Sequence, residues 1–422
     1  MSDQTPEDPS LPLPEAGPNP FRIRDFRLVW FARAAAVLAI QTQGAALLWQ
    51  VYEVARRDHS VPEAALYLSL VGLCQFLPLF ALTLPAGEMA DRRDRKKVMA
   101  ACIAVEGLCA ALFLFLALRG DPPLWALLSV AALFGASRAF LAPASQAMLP
   151  MIVPRPSLPR AIAFSSTAFL LGSIAGPALG GVIVGVSIGA AYGFALGLFA
   201  LAVALVLLIR TDTRPQSRPG SRWALMKEGI AYVWQNKIVF GSISLDLAAV
   251  LLAGATLLVP IFARDVLHVG PEGFGILRAS FGLGALVVAL WLSTYTIKRS
   301  AGAWMFTSVA VFGIATVVFG LSTSFWLTVV ALFIAGGADM ISVNIRQTLV
   351  QIATPDHMRG RVSSVSMLFI GASNELGEFE SGLAARFLGP VGAAVFGGVG
   401  AVVATGLWAW WFPQLRKADR LV

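Results

Sequence analysis

Apolar runs of about twenty residues or more recur along the whole chain, separated by short polar connections. A run of that length crosses a hydrocarbon core of roughly 30 Å as an α-helix. Lipid offers no partner to free backbone groups, so only helices and closed barrels span it, and a barrel would show alternating segments of about ten residues. The runs here are continuous and rich in Ala, Leu and Gly, which predicts helices. Only 13% of residues are charged, against roughly a quarter in a soluble domain. The chain reads as a polytopic membrane protein.

The expected spans are 28–55, 63–86, 97–119, 123–149, 158–184 and 189–209, then 238–263, 271–296, 301–320, 324–350, 362–388 and 390–412. The predicted fold class is an all-α membrane protein with twelve transmembrane helices in two pseudo-symmetric six-helix bundles. The polar, Pro-rich stretch TDTRPQSRPGSR separates the two sets of six. Residues 1–20 hold six prolines and no base, and read as a disordered cytosolic tail rather than a cleaved signal. The expected divisions are that tail, a first bundle at 21–209, a cytosolic linker at 210–236, a second bundle at 237–412 and a tail at 413–422. Within the linker, Trp223, Met226, Ile230, Val233 and Trp234 recur at helical spacing opposite Lys227, Glu228 and Gln235. That pattern fits either an amphipathic helix on the membrane surface or the start of the second bundle.

A net charge of +8 would suggest nucleic acid in a soluble protein, but topology explains it here. Most Lys and Arg fall in alternate connections on the side of both termini, while the other side holds Arg56, Arg57, Arg119, Arg264 and Arg386. The positive-inside rule makes the termini cytosolic and the site of action the inner membrane. No nucleic-acid partner is expected; membrane lipids are, and the chain is expected to act as a monomer. Cys74, Cys102 and Cys109 lie inside apolar runs and His59, His268 and His357 in connections. That distribution implies no disulfide framework, metal or cofactor, and no enzymatic site.

The halves resemble each other. A shift of 201 residues lays Gly135 on Gly336, Gln146 on Gln347, Pro154 on Pro355, Arg160 on Arg361, Ser165 on Ser366, Gly176 on Gly377 and Gly181 on Gly382. A shift of 210 lays Gly44, Ala45, Leu47 and Leu48 on Gly254, Ala255, Leu257 and Leu258. Internal repeats of this kind build many secondary transporters. Between the second and third runs stands GEMADRRDRKK, Gly87 to Lys97, with the spacing G-x-x-x-D-R-x-x-R-K. It is expected to form a short cytosolic loop. Basic residues alone would serve topology, but Asp91 calls for a further use.

Twelve spans in two related halves, with this motif between spans two and three, resemble the major facilitator superfamily. The runs GSIAGPALGG and SNELGEFESG are similar to those of drug and siderophore exporters related to the enterobactin exporter. The resemblance implies alternating access, with Asp91 and the bases Arg92, Arg95 and Lys96, after Gly87, latching the halves together on the cytosolic side. A carboxylate is favoured at a helix N-terminus by about 0.3–1 kcal/mol. The start of the eleventh span, with Arg359 and Arg361, is the expected contact. In span five, Gly172, Gly176, Pro177, Gly180 and Gly181 can serve plain close helix packing and bending. They also resemble the superfamily's antiporter signature, which favours export over uptake.

Span eleven carries Glu375, Glu378 and Glu380. Charges at that depth cost several kcal/mol unless they face protein or a water-filled cavity, so intramembrane acids are functional candidates. Glu375 and Glu378 share one helix face and are placed on a central cavity, whereas Glu380 points about 140° from Glu375. Such a pair is expected to share a proton; the structural alternative pairs it with Arg346 or Arg386. Other ionisable residues within spans are Arg33, Glu106, Arg138, Asp246, Arg278, Asp339 and Arg346, of which Glu106, Arg138, Asp246 and Asp339 are expected to serve proton coupling or the substrate cavity. Arg33 lies near a membrane edge, where snorkelling suffices. Arg138 resembles the superfamily's helix-four arginine beside a proton-binding acid, with Glu106 or an acid of span one or seven as candidate partner. Gln41 and Gln43 are expected in the substrate cavity. The functional expectation is export of a small organic molecule in exchange for protons. Metabolite uptake, a lipid-handling carrier and an intramembrane enzyme are the alternatives.

Overall fold

The computed structural model describes residues 18–214, 222–295, 297, 299–355 and 358–416. The expected tail before residue 18, linker residues 215–221, His357, residues 417–422 and the side chains of Asp91, Trp223, Met226 and Arg359 lie outside the described residues. The first half holds α1 (Arg24–Asp58), α2 (Val61–Arg92), α3 (Arg95–Leu118), α4 (Leu124–Ile152), α5 (Leu158–Val186) and α6 (Ile188–Leu207). A lateral helix follows, α7 (Arg222–Gln235), then α8 (Lys237–Leu252), α9 (Gly270–Thr294), α10 (Ala301–Leu321), α11 (Phe325–Ile352) and α12 (Arg359–Trp411). The protein is a multi-pass membrane protein of twelve spans, and α12 supplies two of them.

The connections are short because their polar residues cap the helices they join. Ser60 and Glu63 form a reciprocal cap at the start of α2, with the Ser60 N–H donating to Glu63 Oε2 at 2.9 Å. Asp94 accepts from the Lys96 N–H at 3.1 Å, Ser187 from Ala190 at 2.9 Å, and Asn236 from Ile238 at 3.1 Å. Each satisfies a donor that a helix N-terminus otherwise leaves free.

Three expected boundaries differ. The Gly87 to Lys97 loop is almost wholly helical: α2 continues through Arg92 and α3 begins at Arg95, so Arg93 and Asp94 alone lie between helices. Thirty-two residues of α2 make about 48 Å of helix, which carries the motif beyond the hydrocarbon. The expected span 238–263 is broken after Leu252 and resumes as short helical turns at Ala255–Leu258, Val259–Ile261 and Phe262–Val266. Pro260 lacks the N–H that a continuous helix would use there. Spans eleven and twelve, by contrast, run on in α12, interrupted at Gly389, whose φ of 72° no helix contains. The following Pro390 disfavours the helical region for its predecessor.

Helix α7 bends 99° from α8 and so crosses the bundle rather than continuing it. Ile230 and Val233 pack with Val239, Ile243, Val350, Met358 and Val362, and the Tyr232 hydroxyl donates to the Ala353 carbonyl at 2.5 Å. The apolar face therefore rests on the second half.

The repeat reappears as matching contacts. In the first half α1 packs on α5, α2 on α4 and α3 on α6; in the second α8 and α10 pack on α12, and α9 on α11. Gly176 lies against Gln41 and Gly377 against Leu251, which are equivalent pairs under the two shifts. The halves meet through α2 with α12 and α5 with α9. Gly181 there meets the Gly275 backbone, and its repeat equivalent Gly382 meets Ser69 and Ala65. Both contacts lie on the side opposite the termini, called the far side below. A side chain at Gly181 would overlap Gly275. Forced overpacking costs about 1–3 kcal/mol, a shift of about 5- to 150-fold in a two-state equilibrium. Gly181→Leu is expected to open the far side, measured as faster labelling of a cysteine at position 69 in membranes; unchanged labelling would contradict that packing role.

Candidate functional site

At mid-span, where α2, α4, α9 and α12 converge, charged side chains of both halves meet. Arg138 Nη1 of α4 donates to Glu375 Oε1 of α12 at 3.1 Å and to Gln75 Oε1 of α2 at 3.3 Å. Glu378, one turn on, lies beside Glu375 and within the fields of Arg278 on α9 and Arg138. Gly72 lies against the Glu378 side chain, so α2 approaches closely enough to cover it. Two guanidinium groups and two carboxylates thus balance in charge across the seam. A charge in a low-dielectric site is tolerated when it is paired and hydrogen-bonded.

The arginine expected beside an acid has its direct partner in the other half rather than on span one or seven. Glu106 of α3 is nonetheless an electrostatic neighbour of Arg138. It is fully buried and neither carboxyl oxygen has a hydrogen-bond partner among the described residues. Glu375 takes Arg138 as its ion-pair partner; Arg346, proposed as the structural alternative, is paired with Asp246 instead. Gln75 went unrecognised because one glutamine in an apolar run carries no pattern. Glu380 is half-buried on another face of α12.

Asp246 of α8 and Asp339 of α11 form a second group with Arg346, within the second half. They do not join the seam cluster in any described contact. Gln41 packs against Gly176 on the α1–α5 contact. Gln43 is buried with both amide atoms unpartnered among the described residues. Arg33 donates to Ser165 Oγ at 2.8 Å, a protein partner where snorkelling had been expected.

Of the span-five glycines, Gly172 lies on Val37, Gly176 on Gln41 and Gly180 on Thr42, all on α1, while Gly181 faces the other half. Helix α5 continues through Pro177. The motif after α2 binds its own half: Arg95 donates to the Ala147 carbonyl at 2.8 Å and Lys96 Nζ to the Ile209 carbonyl at 2.9 Å. Arg92 pairs with Glu88 at 2.6 Å. Arg361, expected opposite Asp91, pairs with Glu228 of α7 at 2.6 Å. Asp94 and Asp25 also tie down the chain leaving α6, through Thr213 at 2.5 Å and Thr211 at 2.6 Å.

On the far side a clasp joins the halves that the sequence did not disclose. The Tyr52 hydroxyl of α1 donates to Asp265, and Arg56 Nη2 pairs with Asp265 Oδ1 at 3.2 Å. Asp265 lies in the irregular turn Phe262–Val266 beyond the break in α8. Each residue stands near a predicted span end, where charge is ordinary.

Two six-helix halves, a charged seam at mid-span and close packing on one side define a membrane transporter of the major facilitator fold. The chain matches the family described as transmembrane secretion effector over residues 16–421, and it belongs to that family. It is 27% identical over 385 residues to the enterobactin exporter EntS of Citrobacter koseri, covering 90% of this chain and 86% of that one. Identity to EntS of Escherichia coli O139:H28 is 27% over 383 residues, with the same coverage. Among solved structures, a POT family transporter in complex with 5-aminolevulinic acid superposes with a TM-score of 0.73 at 13% identity, covering 93% of this chain and 97% of that one. An inward-facing, unoccupied bacterial homolog of the human lysosomal transporter Spinster gives 0.68 at 15% identity, over 93% and 96%.

If Arg138 and Glu375 act on each other across the seam, their replacements are not independent. A thermal-unfolding cycle with Arg138→Gln, Glu375→Gln and the double variant in detergent is expected to give a coupling of about 0.5–3 kcal/mol; additive effects would dissolve the pair.

Proposed function

We propose that this secretion transporter exports a small organic molecule from the cytosol across the inner membrane by alternating access, in exchange for protons, with both termini cytosolic. The observation that carries the reading is the pair of carboxylates Glu375 and Glu378 facing Arg138 and Arg278 where the halves meet. A proton taken by either carboxylate removes one attraction across the seam, so protonation and the closure of the halves are linked. Outgoing substrate and incoming proton would compete for the same charged groups. The relatives named as enterobactin exporters support export as the direction and a siderophore-like or drug-like compound as the substrate class.

In this reading the far-side clasp and the Gly181 and Gly382 contacts hold one state, and Asp91 with the bases of its motif biases the other. The protein works as a monomer among membrane lipids. Asp91→Asn is expected to lower transport several-fold while insertion and abundance in the membrane stay normal; full transport by a well-expressed variant would remove the latch from the mechanism.

Efflux of a compound panel from a host lacking its own exporters tests the function. At fixed internal pH, acidifying the outside enlarges the inward proton drive, so export should accelerate as external pH falls. An uncoupler should raise cellular accumulation of the exported compound. Glu375→Gln and Glu378→Gln are expected to flatten the pH dependence, and an unaltered profile in both would exclude them as the coupling site. Accumulation that falls with uncoupler would mean uptake instead.

A further inference from the structure

Arg33, Arg138, Arg278 and Arg346 lie within spans, and the last three face carboxylates. Arg138 pairs with Glu375, Arg346 with Asp246, and Arg278 lies in the field of Glu378. Arg33 differs. It stands nine residues after Arg24, where α1 begins, which is about 14 Å along the helix. Its one described hydrogen bond runs from Nη1 to Ser165 Oγ at 2.8 Å, and no acid among the described residues acts on it. A guanidinium at such depth calls for an opposite charge.

Packing does not account for this arginine. The repeat equivalent of Ser165 is Ser366, whereas that of Arg33 is Ile243, which is apolar and buried. The second half thus keeps the hydroxyl and dispenses with the base. Most of the guanidinium's N–H fork is left for another acceptor. Ser165 is buried, and unlike Ser166 and Thr167, which donate to the Ile162 and Phe164 carbonyls, it has no described acceptor for its own O–H. One turn nearer the termini, Trp30 Nε1 donates to the Phe164 carbonyl at 2.7 Å, and the Phe21 ring packs on Trp30 and Phe164 at centroid distances of 5.5 and 4.9 Å. Trp30 and Phe164 themselves stay partly exposed. A charged fork, a hydroxyl and an aromatic wall therefore stand together between α1 and α5.

We propose that Arg33, Ser165 and the Trp30 and Phe164 rings form a binding site for an organic anion, a carboxylate or phosphate ester on an apolar body, reached from the side of the termini. The planar guanidinium matches such oxyanions through paired N–H donors, and the rings supply apolar contact for the body that carries them. That chemistry has two sources, a free solute and an anionic lipid headgroup. For the solute the proposal deepens the export reading and rests on it, making the carried molecule an anion. The binding itself stands on this geometry alone and shares no residue with the Arg138–Glu375 seam.

The test uses the purified full-length protein in phosphatidylcholine nanodiscs, with sodium salicylate as the probe, salicylamide as its neutral counterpart and sodium chloride holding the ionic strength constant. Salicylate is expected to give saturable thermal stabilisation of the wild type, and salicylamide none. The apparent affinity should fall about tenfold or more in Arg33→Gln and severalfold in Ser165→Ala and Arg33→Lys. It should hold in Arg155→Gln, which removes an exposed base outside the spans. If a lipid headgroup is the occupant, phosphatidylglycerol nanodiscs stabilise the wild type but not Arg33→Gln, and the salicylate effect disappears in them. Either result supports the site and identifies its source. The absence of an Arg33-dependent response to both salicylate and phosphatidylglycerol would overturn it. In phosphatidylcholine alone Arg33→Gln removes an uncompensated charge and should unfold no earlier than the wild type; earlier unfolding would make the arginine a structural residue and overturn the site as well. Arg33-dependent binding without export of any anion from cells would count against the export reading and leave the site in place.

Discussion

A guanidinium from one half of the molecule and a carboxylate from the other meet at mid-span, each as the other's ion-pair partner. Arg138 has one acid across the seam and another, Glu106, behind it in its own half. Glu375 is mostly buried while the Arg138 side chain is 34% exposed, so the attraction that joins the halves here is partly screened. Gln75 adds a neutral acceptor to the same guanidinium. The first half brings Arg138 with Glu106 behind it, and the second brings Glu375, Glu378 and Arg278.

Around that contact, backbone approach does the work that side chains cannot. Hydrocarbon gives no hydrophobic reward for helix association, so close packing of small residues carries it. Gly181 and Gly382 are equivalent positions, yet each leans on a different helix of the opposite half, α9 and α2. The far-side seam therefore closes at two symmetry-related points, with the Tyr52 and Arg56 clasp on Asp265 beside them. The break in α8 is what frees the segment bearing Asp265 to reach α1. An uninterrupted helix would have given that carboxylate a different direction.

Spans were legible because lipid leaves helices little choice, and the repeat because equivalent helices meet equivalent neighbours: Gly176 with Gln41, Gly377 with Leu251. Arg138, Glu375 and Glu378 were legible one at a time, since charge within an apolar run is anomalous wherever it stands. Their pairing was not, because it depends on which helices of separate bundles become neighbours. The clasp was illegible for the opposite reason: Arg56 and Asp265 stand where charges are ordinary. Gly87 to Lys97 looked like a loop because its side chains belong in water, but polarity of side chains does not unwind a backbone. Glu88 and Arg92, four residues apart, support the helix that carries them.

That helical extension changes what the motif can be. Lys96 reaches the Ile209 carbonyl, Asp94 receives Thr213, and Asp25 receives Thr211, so three points hold the chain as it leaves α6. On the other side of the connection, Glu228 of α7 holds Arg361 at the start of α12. Each end of the linking segment is thus fastened to the half it adjoins. The contacts described at this connection stay within each half, and those between the halves are the seam and the far-side clasp. The Arg138–Glu375 contact stands in that seam, so it acts between the bundles rather than within one helix.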